Sequence, residues 1–278
     1  MTDPYTEIAL HQPNDVLIGG ALITMVEPDP GHEHAYNRWY EDDHFYSGAM
    51  HGPWTFAGRR WVAPKALRAR RAVVAEPLTN PPEAGCYIST YWVTAGHEDD
   101  NARWSFEAMG NALMPFGRGF PHRQHVYTAF QHYRFGLVRD TGPMQPHLAL
   151  DTSFLGLLVE VIDAPDEASL PELEQWLQDH LPEHLAKSPA GMVLAFTPVP
   201  FSQGRIEQDG TPAVAPPEGV GRQLCLLWFL DLDPGAITDD RLQAHHSDLA
   251  ASGVGTLRFS GAFVPTQVGT DRYVDELR

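Results

Sequence analysis

Apolar and polar positions follow two periods along the chain, and the periods recur in the same order in each half. Val16 to Val26 (VLIGGALITMV) and Phe154 to Ile162 (FLGLLVEVI) are nearly continuous apolar runs, the pattern of strands covered on both faces. Each leads through a turn rich in Pro, Asp and Gly or Ala into a helical stretch. One stretch carries Trp39-Tyr40-Glu41-Asp42-Asp43-His44, the other Trp176 to His180-Leu181-Pro182-Glu183-His184. His44 and His180 stand 136 residues apart (180 − 44). Pro81-Pro82-Glu83 is echoed by Pro216-Pro217-Glu218, and the strand pattern CYISTYWV from Cys86 by CLLWFLDL from Cys225. Helices are expected over about His97 to Met114 and Thr238 to Ala251, with final strands from His125 and Thr256. Markers that agree on one offset within a few residues predict a duplicated β-α-β-β-α-β unit.

The strand from Cys86 places Tyr87, Ser89, Tyr91 and Val93 on one face and Cys86, Ile88, Thr90 and Trp92 on the other. Neither face is purely polar, so both are expected to be covered. Helices cover one face of such a sheet, and a second sheet is needed for the other. The expected fold is therefore α+β: two tandem ferredoxin-like units packing sheet to sheet as an internal α/β barrel, with a cavity suited to a small molecule. The expected divisions are an N-terminal extension at 1–14, a first unit at 15–150 and a second at 151–278.

Charge narrows the partners. Asp and Glu total 36 against 19 Lys and Arg, a formal charge of −17, which disfavours a phosphate-binding surface despite the basic stretch from Arg59 to Arg71. No apolar run reaches the roughly 20 residues of a membrane helix, and Met1 to Leu10 does not read as a secretory signal. The expectation is a cytoplasmic protein with a small-molecule substrate and no nucleic-acid or membrane partner, either a monomer with an internal pseudo-dimer or a homodimer. Cys86 and Cys225 read as small core residues. GxGxxG, GxxxxGK[ST] and GxSxG patterns are missing, so nucleotide cofactors and serine hydrolysis have no support.

Tyr36, Tyr40, His44 and Ser47 fall on one helical stripe. Trp39, Tyr46 and Met50 lie on a neighbouring stripe with the look of core. An imidazole one turn from a phenol, flanked by Asp43, has the makings of a proton-transfer site, with His44 as acid or base, Tyr40 as oxyanion donor and Asp43 tuning the imidazole. His44 equally suits a helix end bonded to a backbone carbonyl. Tyr36, Tyr46 and His51 are candidate substrate contacts from the helix and its end. Tyr87 and Tyr91 are candidate aromatic walls, and His132 and Arg134 alternate onto one face of the strand from His125. His180 and His184 have an i, i+4 spacing that can bind a metal, but Pro182 between them suggests a local break, and no metal site is expected. His245 and His246 are adjacent, point in different directions, and read as a solvated face.

The stretch Asn37 to His44 resembles the first-helix motif of EthD-like members of the dimeric α/β-barrel superfamily, in which Trp-Tyr precedes a His followed by one residue and a Pro. Trp39, Tyr40 and His44 match; Tyr46 stands where the Pro is usual. His180-Leu181-Pro182 matches the end of the motif, with Trp176 in the place of Tyr40. The resemblance implies a menu of cofactor-free oxygenases, cyclases, isomerases and lyases, and tandem haem proteins similar to chlorite dismutase and dye-decolourising peroxidases. From it and the Tyr40–His44 stripe follows the leading expectation: a cofactor-free lyase or isomerase/cyclase acting on a small apolar or aromatic metabolite. Its chemistry would lie mainly in the first half. The alternatives are a non-catalytic binder of a hydrophobic metabolite, and a haem-dependent or cofactor-free oxidoreductase.

Overall fold

The computed structural model describes Thr6, residues 16–200 and residues 219–278. Apart from Thr6, the expected extension at 1–14 lies outside the described residues, as does the Pro216-Pro217-Glu218 run. The first half contributes β1 (Ile18–Pro28), α1 (Glu33–Trp39), β2 (Thr55–Val62), the short α2 (Lys65–Arg68), β3 (Tyr87–Thr94), α3 (Glu98–Ala108) and β4 (Arg123–Val138). The second contributes β5 (Gly156–Asp163), α4 (Leu170–Lys187), β6 (Ala190–Pro198), β7 (Gln223–Leu230), the short α5 (Asp239–Leu242), α6 (His246–Ser252) and β8 (Thr256–Pro265). Helix α1 runs on as a π-helix over Tyr40–Met50.

All strand pairings are antiparallel, and their order is β1-β3-β2-β8-β5-β7-β6-β4, with β4 pairing β1 to complete the cycle. This corrects the expectation of two separate sheets stacked sheet to sheet around a cavity. The halves meet edge to edge in one eight-stranded antiparallel sheet, with helices on its outer face. Residues Gln131 to Val138 of β4 pair with Pro198 to Met192 of β6, and Trp61 and Val62 of β2 with Pro265 and Val264 of β8. The physical reason is the strand composition. Large apolar side chains on the inner faces of both halves interdigitate and fill the centre. Trp92 stacks on Phe196 at 5.2 Å between centroids, and Phe229 meets Trp61 at 6.1 Å.

Alternation along β5 sorts the second half. Leu157, Val159 and Val161 join the inner core, whereas Leu158 and Ile162 join the layer beneath the helices. Helix α4 enters that layer through Leu173, Leu177, Leu181 and Leu185, a stripe at i, i+4 that is at most 2% exposed. The break expected at Pro182 does not occur. The helix is continuous through it, because the leucine stripe on either side pins both turns to the sheet, outweighing the one lost backbone hydrogen bond. Among the described residues no helix is long and apolar enough to cross a membrane.

Candidate metal centre

The alternation that buries β5 also buries a charge. Glu160 sits between Val159 and Val161, faces the helices and is 0% exposed. A carboxylate in that position needs partners of opposite charge and satisfied hydrogen bonds. Trp228 of the neighbouring strand donates from Nε1 to Oε2 at 2.8 Å. His245 Nε2 lies 2.7 Å from the same oxygen, and His246 Nε2 lies 2.5 Å from Oε1. Ser260 Oγ, directly opposite Glu160 on β8, completes the ring at 3.4 Å.

His245 ends the turn between α5 and α6, and His246 opens α6. Leu242 before the turn and Leu249 after it are buried anchors, and α6 is closed by Gly253 in the left-handed region at φ 71°. The turn thus lies flat on the sheet, and adjacent histidines converge on one carboxylate. This overturns the solvated-face reading of His245 and His246: His245 is 3% exposed. Burial alone would raise the Glu160 pKa, but the charges and hydrogen bonds of His245 and His246 win and hold the carboxyl well below its ordinary range. Burial works against protonated His245 as well, and again Glu160 wins, raising the imidazole pKa.

One ligand atom from each of Glu160, His245 and His246 lies within 4.8 Å of the others, an arrangement able to hold a metal ion. His245 Nδ1 is buried and has no hydrogen-bond partner. His245 also lines a cleft of about 760 Å³, part of it open to solvent, whose walls include Leu158, Trp228, Leu230 and Leu242. Lys187 and Arg241 stand on the same walls. This cluster corrects the expectation of a cofactor-free lyase, isomerase or cyclase: a buried donor set able to hold a metal ion lies in the second half. The sequence contained its signal. A Glu in the middle of an all-apolar strand must be answered by a buried cation, and an adjacent His pair within the same half was available.

The residues singled out from the first half form an aromatic cluster between α1 and the sheet. Tyr36 and Tyr40 are 1% and 3% exposed, and Tyr87 and Tyr91 each 2%. The Tyr40 hydroxyl pairs with that of Tyr91 at 2.7 Å. The Arg60 guanidinium lies over the Tyr40 and Tyr87 rings at 4.3 and 4.9 Å and reaches Glu41 at 3.2 Å. The Tyr87 hydroxyl has no hydrogen-bond partner. His44 stacks on Trp39 at 4.3 Å. Gly48 makes room for it, since a Cβ there would meet the His44 ring at 2.5 Å. Burial, with Arg123 and His125 nearby, pushes the His44 pKa down to about 3. Burial and Arg123 push His125 to about 3 as well. Asp43 pairs with Arg118 and Ser47, and its charge opposes the lowering of the His44 pKa without reversing it. Tyr46 and His51 are exposed, as are His132 and Arg134 on β4; Arg134 is paired with Glu174 at 2.6 Å. The structure therefore gathers Tyr36, Tyr40, His44, Tyr87 and Tyr91, and leaves Tyr46, His51, His132 and Arg134 apart from them.

No family model and no curated protein matches the chain. Among solved structures, one named provisionally as a chlorite dismutase aligns over 94% of this chain and 100% of its own, at 9% identity and a TM-score of 0.50. A protein named provisionally as a monooxygenase from Fusobacterium nucleatum aligns over 91% of this chain and 94% of its own, at 8% identity and a TM-score of 0.49. The encapsulated DyP-type peroxidase of Mycobacterium smegmatis aligns over 96% of both chains at 14% identity and a TM-score of 0.44. At such identities the first of these likenesses establishes a shared ferredoxin-like fold and says nothing of the reaction.

Proposed function

We propose that the protein is a haem-dependent oxidoreductase acting on a small organic substrate, with His245 as the iron ligand. The observation that carries this reading is the buried, unpartnered Nδ1 of His245, whose other ring nitrogen is engaged by Glu160. The donor set fits the group. Leu158, Trp228, Leu230 and Leu242 offer apolar walls to a macrocycle, and Arg241 on the same walls offers a cation to a carboxylate; Lys187 beside it is paired with Glu183. Bound haem supplies one-electron oxidation driven by peroxide or oxygen. The chain's own contribution is electrostatic and steric. Glu160 holds the His245 proton on Nε2, which leaves the Nδ1 lone pair for a metal and makes the imidazole a stronger donor. Trp228 donates to the same Glu160 oxygen that His245 contacts. Leu158 and Leu242 shield the ligand from water.

A second reading is favoured by one contact set. Nε2 of both His245 and His246 converge on Glu160, and two histidines with one carboxylate are the donor set of mononuclear non-haem iron. Titration of the purified chain with haemin, followed by an absorbance scan, tests both. A stoichiometric Soret band in the wild type that is lost in His245→Ala supports haem. Bound iron by metal analysis without a Soret band transfers the function to the second reading. Binding of neither rejects both.

A further inference from the structure

A separate histidine–carboxylate group lies one layer outward from Glu160. His180 and His184 stand one turn apart on α4, and Asp248 faces them from α6. Asp248 Oδ2 lies 3.5 Å from His180 Nε2 and 3.2 Å from His184 Nε2, and one ligand atom from each residue falls within 4.8 Å of the others. We propose that His180, His184 and Asp248 form a second metal site that takes a Zn2+-class divalent ion.

The distances are compatible with a metal site. Tetrahedral Zn2+ holds imidazole nitrogen and carboxylate oxygen at about 2.0–2.1 Å, so its ligand atoms stand roughly 3.3 Å apart. The two distances to Asp248 straddle that value. Orientation agrees. Trp176 stacks on the His180 ring at 4.3 Å, and the His180 and His184 rings lie 4.4 Å apart. His180 Nε2 is itself buried, yet makes no hydrogen bond. An ion at this point would satisfy it. Three protein ligands leave one position of a tetrahedron for solvent, and the partial exposure of the set, 27% for His180, 21% for His184 and 51% for Asp248, gives that position access. The His184 ring is 6.0 Å from that of His245 and lines the same cleft, so the site opens on that cleft without using His245 as a ligand. The proposal is independent of the haem reading.

The test uses the full chain stripped of metal with a chelator, with Zn2+ as the probe and thermal unfolding as the readout. Zn2+ is expected to raise the Tm of the wild type and of His245→Ala, because an ion bound only to the folded state stabilises it by mass action. His180→Ala and Asp248→Asn are expected to weaken Zn2+ binding at least about tenfold. Both positions are partly exposed, so these variants are expected to fold, which circular dichroism checks. Co2+ titration of the wild type supplies a second measurement: a tetrahedral ligand-field spectrum is expected, and is expected to be missing in the same two variants. No Tm shift in the wild type, or an undiminished shift in both variants, overturns the site. Loss of haem uptake in His245→Ala with the Zn2+ response intact separates this outcome from the fate of the haem reading.

Discussion

Acid should unfold this protein through two histidines that the fold keeps neutral. His44 and His125 have an ordinary pKa of 6.5 and are pushed to about 3 in the folded chain, first by burial and then by Arg123. Both residues are partly exposed; His44 packs against Trp39 and Tyr40, and His125 bonds Thr128. The sign follows from proton binding. Between pH 6.5 and 3 the unfolded chain binds a proton at each histidine and the folded chain does not, so the contribution is complete above pH 6.5 and is lost as pH falls toward 3. At pH 5 the unfolded state gains 1.5 pKa units per histidine, roughly 2 kcal/mol each at about 1.36 kcal/mol per unit. Two such losses, about 4 kcal/mol, are a large share of the roughly 5–15 kcal/mol that holds a typical domain together.

His245 works in the opposite direction, because its raised pKa adds stability below pH 6.5. A comparison of variants removes that offset. His125 bonds Thr128 Oγ1 through Nδ1 at 2.8 Å, and His125→Asn keeps a polar group there while removing the titration. Urea denaturation followed by circular dichroism at pH 7 and pH 5 should show the variant losing about 2 kcal/mol less than the wild type over that interval. Equal losses in the two proteins would refute the reasoning, as would an NMR titration placing His125 near 6.5.

Two further perturbations test the buried networks. Glu160→Gln removes the charge that answers His245 and His246, and should cost about 3–5 kcal/mol in urea denaturation; haemin titration of the folded fraction should show weakened uptake, because His245 loses the partner that orients it. Tyr91→Phe leaves the buried Tyr40 hydroxyl without its 2.7 Å partner and should cost about 1–3 kcal/mol, with haemin uptake unchanged by the same absorbance titration.

The strands and helices were legible because their apolar periods are long and repeat at a constant offset, and the order of elements in each half follows the duplicated pattern. What could not be read was how the halves meet. Two-faced apolar strands such as Cys86 to Val93 fit a sheet stacked across a cavity and a filled centre equally well, and only side-chain volume distinguishes them. Trp61, Trp92, Phe196 and Phe229 fill the space assigned to a chamber. The Trp39-Tyr40…His44 motif drew attention to the first half by local spacing. The Glu160 cluster is assembled from positions 85 and 86 residues apart in sequence, which no local spacing reveals.

Register shows where the halves differ. Thr24 on β1 lies opposite Ser89 on β3 and Thr128 on β4; Glu160 on β5 lies opposite Leu226 on β7 and Ser260 on β8. The two positions are therefore equivalent in the duplicated sheet, 136 residues apart (160 − 24). In the first half the place is neutral: Thr24 bonds Thr128 at 2.8 Å, and Thr128 bonds a histidine whose pKa has been driven down. In the second half a carboxylate takes the place of the hydroxyl, and its histidine is driven up. An uncharged network stabilises without a cation and has no reason to coordinate one. A buried anion demands positive charge from protons or from a metal, and the two compete for the same imidazole nitrogens. The carboxylate at this position, together with His245 and His246 brought onto it, gives the second half a donor set that can hold a metal.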